Sequence, residues 1–222
     1  MRLIKTLPLA TALAATLIGA GAASAASITN GSFESGSGDA GFGSFSTPGG
    51  GSTNITGWTV TGGSVDWING YWQGADGTHS VDLNGLAVGG IEQTIATTLG
   101  QTYRLSFSMS GNPDIGSGTR TMQVSAGGAS APFSYTFTTP TNDHSNMNWA
   151  NDSLVFTATG PSTLISFQST STGNCCWGPA LDNVSISAVG VPEPSTWAMT
   201  ILGLGVVGAA ARRRRATAVA VA

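Results

Sequence analysis

The chain has 222 residues, enough for one sizeable domain. Glycine supplies 32 of them, charged residues only 9% and apolar residues 41%, so a packed core is possible on a nearly uncharged chain. Residues 26–190 hold ten of the eleven acidic residues but only two basic ones, Arg104 and Arg120, a net charge of −8 with no lysine; such a surface repels phosphate backbones and excludes nucleic acid as a partner.

At the N-terminus Arg2 and Lys5 precede an apolar run from Leu7 to Ala20, and Ala23-Ser24-Ala25 closes it. A basic start, a short apolar core and small residues before the cut make a secretory signal peptide. Residues 1–25 are therefore predicted as a signal helix, with the mature chain beginning at Ala26.

Residues 26–190 read as all-β. The Gly/Ser-rich stretch from Ser35 to Thr53 is predicted as a long surface loop. Tyr103 to Met109 alternates apolar and polar residues, and shorter alternating runs cover Met122–Ala126, Phe133–Phe137, Leu154–Ala158, Leu164–Phe167 and Val184–Ile186. Gly, Asn and Pro clusters separate them, and no segment keeps a 3.6-residue period over three turns. Many short strands at this spacing predict a β-sandwich or jelly roll.

Five stretches carry a resemblance: Asn30-Gly31-Ser32-Phe33-Glu34, Gly57-Trp58-Thr59-Val60, Ser64-Val65-Asp66-Trp67-Ile68, the run from Tyr71 to Gly85, and Gly178-Pro179-Ala180-Leu181-Asp182-Asn183-Val184. Together they resemble the choice-of-anchor C family, which is similar to a domain of unknown function in plant cell-wall proteins. The resemblance implies a galactose-binding-like jelly-roll β-sandwich over residues 26–190 and attaches no enzymatic activity. It also implies that Glu34, after the first strand, and Asp182, opening the last, lie side by side. Related carbohydrate-binding modules hold a structural Ca²⁺ there, using an acid from each end and backbone carbonyls, here near Gly57 and Trp58. Simple hydrogen bonding of the two acids to backbone amides is the other reading.

Five tryptophans lie in the domain, and Tyr71 adjoins one of them. Trp and Tyr offer flat, polarisable faces to the C–H surface of a sugar ring. Tyr71 and Trp72, flanked by Gly70 and Gly74, are predicted to form an exposed loop with Asp76 and Asn69 ready for hydroxyls. Trp149, in the Asn-rich segment Asn142–Asn151, and Trp177 are further platforms. Trp58 and Trp67 are assigned to the core.

Cys175 and Cys176 are the only cysteines and are neighbours. In an exported chain a disulfide is the default, here a strained vicinal ring; two free thiols and pairing to another chain remain open. A nucleophilic cysteine would need a base, and only His79 and His144 exist. His79 is predicted at the surface and His144 in a polar loop. No G-x-S-x-G elbow occurs between a strand and a helix, and ten acids give no preferred carboxylate pair. The domain is read as non-catalytic and as requiring no cofactor.

The tail, residues 191–222, begins Val191-Pro192-Glu193-Pro194 and continues with 16 uncharged residues, 196–211, to Arg212, Arg213, Arg214 and Arg215. As a helix those 16 residues reach about 24 Å, short of a hydrocarbon core of about 30 Å, though arginines can snorkel to the headgroups. The arginines stay cytoplasmic by the positive-inside rule. A permanent transmembrane anchor and a cleavable signal both fit. Pro-Glu-Pro, apolar segment and Arg cluster resemble the PEP-CTERM sorting signal of Gram-negative bacteria; Ala216–Ala222 runs past the point where such signals end. The resemblance implies processing by an exosortase, a membrane cysteine protease, after a stage in the inner membrane. The function it implies is a surface or matrix protein binding extracellular polysaccharide in a biofilm. A glycan-acting hydrolase and an adhesive module without a small ligand are the rival classes.

Overall fold

Among the described residues, eleven antiparallel strands build two facing sheets. The structure, a computed structural model, describes residues 25–172, 175–190 and 199–208. The strands are β1 (Ser44–Ser46), β2 (Thr59–Gly62), β3 (Asp66–Asn69), β4 (His79–Asp82), β5 (Gly89–Ala96), β6 (Thr102–Gly111), β7 (Gly118–Ala126), β8 (Ala129–Phe137), β9 (Ala150–Thr157), β10 (Ser162–Ser169) and β11 (Pro179–Ala188), with one 3-10 turn at Pro113–Ile115. One sheet runs β1-β3-β4-β11-β6-β9 and the other β2-β5-β10-β7-β8.

The core follows from the period-2 pattern. On β6, Tyr103, Leu105, Phe107 and Met109 are buried while Arg104 is exposed. Met122, Val124 and Ala126 of β7 and Ile165 and Phe167 of β10 face them from the other sheet. Trp58 lies at the centre, its ring centroid 5.5 Å from Phe33 and 6.1 Å from Phe167. Its indole N–H donates to Asn30 O at 3.0 Å, and that of Trp67 to Phe33 O at 3.0 Å, so both rings bury without an orphaned donor.

Several expectations need correction. Residues 30–34 form no strand: a turn closes there with Phe33 N on Asn30 O, and Asn30 and Phe33 take positive φ of 54° and 60°. Asp182 sits inside β11 rather than opening it, at a bulge between Asp182 and Ser185. The 35–53 stretch is mostly loop but contributes β1, which pairs with β3. His79 is 7% exposed, not at the surface, because β4 is covered on both faces.

The signal peptide's Ala23 lies outside the described residues, as do the sorting residues Val191, Pro192, Glu193, Pro194 and Arg212–Arg215. Ala25 and Ala26 are in coil, and Ala26 packs against the core. Of the predicted span 196–211, residues 199–208 are helical and exposed. No helix among the described residues is long and apolar enough to cross a membrane.

Candidate functional site

The outer face of the six-stranded sheet is partly roofed. Ile68 on β3 and Ala180 on β11 point outward there, and Trp72 and Met147 from two loops cover them in a second small core, flanked by Tyr71 and Trp149. Trp72 is 2% exposed, with its indole N–H on Ser80 Oγ at 2.8 Å. It is therefore a roof beam, and its predicted exposure is corrected: its partner is the sheet's own outer face. Trp149 donates to Gln73 O at 3.0 Å and ties the two loops together.

Beside this roof opens a cleft of about 190 Å³. Phe45, Tyr71, Trp72 and Trp177 supply its aromatic lining, and Asp66, Asn112 and Asp114 its polar groups. Tyr71 is fixed by its neighbours: Phe45 meets it edge-on at 5.3 Å and His144 lies 4.5 Å away, centroid to centroid. Its hydroxyl donates to Asp114 Oδ2 at 3.1 Å, while His144 Nε2 lies 2.6 Å from Asp114 Oδ1. Burial and the Asp114 charge both push the Tyr71 phenol above its ordinary pKa, so it stays a donor.

Asp114 is set by the 3-10 turn. Asn112 caps that turn by accepting from Asp114 N at 2.9 Å. The same side chain donates to Asp82 Oδ2 at 2.8 Å and more weakly to Cys176 O at 3.4 Å. Asp82 is fully buried and also accepts from Asn84 N and Gly178 N, at 2.8 and 2.9 Å. A Cβ at Gly178 would collide with Asp82 Oδ1, so the residue after Trp177 must be glycine. Burial drives the Asp82 carboxyl up to about 8, against its amide donors and with a push from Asp66. Asp66, its partner across β3 and β4, accepts from Thr47 Oγ1 at 2.6 Å and is pushed by burial to about 6.

A wider depression of about 460 Å³ lies over β6, β9 and β11, lined by Ser106, Asn151, Ser153, Asn183 and Ser185 among others. Its one ring, Phe107, is 2% exposed and faces the core. The smaller cleft is the one lined by several aromatic side chains together with hydrogen-bonding groups.

Glu34 and Asp182 do converge, but on a loop. Glu34 Oε1 accepts from Thr78 N and His79 N, both at 2.7 Å, and Oε2 lies 2.8 Å from His79 Nδ1. Asp182 Oδ2 accepts from Ala75 N at 2.7 Å and Asp76 N at 3.0 Å, and Oδ1 from Asn183 N. Burial works to raise the Glu34 pKa, but the His79 and Thr78 donors outweigh it and the net direction is down. Burial carries Asp182 up to about 7. Every oxygen of both groups faces an N–H or O–H donor, and Gly57 O is taken by Gln93 Nε2 at 2.8 Å. This donor set does not fit a Ca²⁺ shell, which wants six to eight free oxygens. No cluster of three or more His, Cys, Asp or Glu suited to a metal occurs among the described residues.

Of the predicted ligand residues, the fold brings Tyr71, Trp72 and Trp177 to one cleft, and leaves Asp76, exposed on the Asp182-held loop, and Trp149 outside its lining. Asp66, Asn112, Asp114 and Phe45 are the residues sequence reasoning missed. Cys175 and Cys176 stand unbridged in this structure with sulfurs 2.9 Å apart, and adjacent residues close such a ring only with strain. Cys176 lines the cleft. Contact with the Cys175 thiol, then burial, pushes its pKa up to about 11.

A family model described as "Protein of unknown function (DUF642)" matches residues 26–187, and one for the PEP-CTERM protein-sorting motif matches residues 190–215. That motif marks a secreted, exosortase-processed surface protein of Gram-negative bacteria. Halomucin of Haloquadratum walsbyi is 33% identical over 136 residues, a stretch that is 61% of this chain and 1% of halomucin's length. Among solved structures, CBM35 from Paenibacillus barcinonensis is similar at a TM-score of 0.42 and 21% identity, covering 64% of this chain and 98% of that one. TmCBM61 in complex with beta-1,4-galactotriose is similar at 0.40 and 16%, covering 72% and 95%.

Proposed function

We propose that this chain, which belongs to the DUF642 family of proteins of unknown function, is an exported module that binds extracellular polysaccharide at the cell surface without turning it over. The observation that carries the reading is the cleft: the aromatic side chains of Tyr71 and Trp177 line it beside Asp66, Asn112 and Asp114. A sugar ring needs such a pairing, an apolar plate for its C–H face and oriented polar groups for its hydroxyls. Tyr71 is held in place before any ligand arrives, by Phe45, His144 and Asp114, which lowers the ordering cost of binding. The tail supports delivery to the surface. An exosortase cuts near Pro192–Pro194 and frees the domain from an inner-membrane stage, for work in a biofilm matrix.

Affinity electrophoresis of the mature domain through gels cast with neutral, acidic and amino polysaccharides tests this. Retardation by at least one of them, lost in Tyr71→Ala and in Trp177→Ala, is the expected result. Migration unaffected by all of them overturns the reading. Release of reducing ends, followed in the same mixtures, is expected to stay flat; steady release lost in Asp66→Asn or Asp114→Asn would make the chain a hydrolase.

A further inference from the structure

The charge of the cleft restricts its ligand. Its two acidic side chains, Asp66 and Asp114, line it together with aromatic rings, and no lysine, arginine or histidine does. The domain's two arginines are committed elsewhere. Arg104 donates to Ser153 Oγ at 2.9 Å on the sheet's outer face, and Arg120 stacks 5.2 Å from the centroid of Phe137. The nearest other basic group, His144, lies behind Tyr71 with its Nε2 already on Asp114 Oδ1 at 2.6 Å, so an acidic sugar would meet two carboxylates and no cation free to pair with it, a like-charge contact that a partly desolvated cleft makes costly. A cation meets the reverse: carboxylates to pair with and the faces of Tyr71 and Trp177 to lie against, the two devices by which proteins hold ammonium groups. The cleft is also small. At about 190 Å³ it falls below the roughly 300–1,000 Å³ of pockets for drug-sized ligands, a size for one ring rather than several.

We propose that the cleft binds a sugar residue carrying a free, protonated amino group, its ammonium paired with Asp114 and Asp66 and its ring laid on Tyr71 and Trp177. This rests on the glycan-binding reading above and narrows it to amino sugars, as units of a polysaccharide that is not fully N-acetylated. N-acetylation removes the charge and adds bulk at the same atom, so acetylated and free amine separate the idea cleanly.

Isothermal titration of the mature domain with three oligosaccharides of equal length and linkage tests it: β-1,4-linked glucosamine, N-acetylglucosamine and glucose. Spermidine serves as a cation without a ring. The glucosamine oligomer is expected to bind about tenfold or more tighter than the other two sugars, the worth of one partly desolvated cation contact. That advantage should shrink with added salt. Asp114→Asn and Asp66→Asn should each bring glucosamine towards the N-acetylglucosamine level, with folding checked by thermal melting. The comparison among wild-type ligands stands even if a variant fails to fold. Equal affinity for the amino and N-acetylated oligomers would overturn the amino-sugar proposal and leave glycan binding intact. Spermidine binding as tightly as the glucosamine oligomer would also overturn it, since the ring would then contribute nothing. No binding by any of the three sugars would overturn the amino-sugar proposal and leave glycan binding to be decided by the affinity gels.

Discussion

Asn112 holds Asp82: its amide N–H donates to the Asp82 carboxyl at 2.8 Å in a fully buried site. Through its carbonyl oxygen the same residue caps the turn that carries Asp114. One side chain thus joins the sheet's buried acid to the acid that lines the cleft. Asn112→Ala removes both contacts and leaves a buried acceptor short of a donor. The expected cost is about 1–3 kcal/mol of stability, or roughly 3–10 °C in Tm for a domain of this size. Asn112→Asp should cost at least as much, because it sets a second carboxyl against Asp82. A melting temperature unchanged in both variants would show that the node does not hold the turn.

The pH dependence of stability should run opposite to that of most proteins. Burial raises the folded-state pKa of Asp66 to about 6, of Asp182 to about 7 and of Asp82 to about 8. Between the ordinary aspartate pKa near 3.9 and those values, the folded state holds protons that the unfolded chain has lost. Stability must then fall as pH rises through this window and level off above about 8. Glu34 is shifted the other way, so its contribution disappears only under more acidic conditions. Melting curves from pH 4.5 to 8.5 should show a declining Tm, and Asp82→Asn should flatten the upper part of the decline. A Tm that climbs from 5 to 8 would contradict the burial of these acids.

Glu34 and Asp182 act as loop clamps, which gives the Ca²⁺ question a direct check. Because their oxygens already face amide donors, EDTA and millimolar Ca²⁺ should both leave Tm within about 1 °C, as expected without linked binding. A rise of several degrees with Ca²⁺, lost in Glu34→Ala or Asp182→Ala, would require those oxygens to turn towards a cation. Gly77→Ala probes the same clamp from the other side. Gly77 has φ of 77° and a Cβ there would collide with Glu34 Oε1, so a loss of about 1–3 kcal/mol is expected.

The two thiols should react unequally. With its pKa pushed up to about 11, Cys176 carries little thiolate at pH 8, and the thiolate is the reactive form. Mass spectrometry during iodoacetamide treatment should show slow modification of Cys176 and, at completion, two alkyl groups per chain without prior reduction. An intact mass that gains two hydrogens only on reduction, with no alkylation before it, would mean that a vicinal bridge forms after all.

Alternation made β7 to β10, the first half of β6 and the second half of β11 legible, since each has one face on the core and one towards solvent there. It failed at β3 and β4, whose residues are all buried: the second core of Trp72 and Met147 lies on their outer side, so Asp-Trp-Ile-Asn and His-Ser-Val-Asp show no polar face. His79 was misread for the same reason. Trp58 and Trp67 were assignable to the core because short Gly-bounded strands leave large rings few other places. The cleft was legible only in its aromatics. Asp66 and Asp114 lie 48 positions apart, and nothing local marks either as lining a cleft; the strand order β3-β4-β11-β6 brings β3 and the turn after β6 together. The Asn-Pro-Asp run at 112–114 was the available clue, a capping residue, a helix-starting proline and an acid in sequence.

The last strand also fixes which way the domain looks. β11 begins at Pro179, paired with Gly111 beside Trp177 and Asn112, and ends at Ala188, paired with Tyr103. Val189 N then bonds Thr102 O at 2.8 Å. Ten residues of strand span about 30 Å, so the chain leaves the domain at the pole away from the cleft. A pull applied beyond residue 190 would act on that far pole and leave the cleft on the side facing away from it.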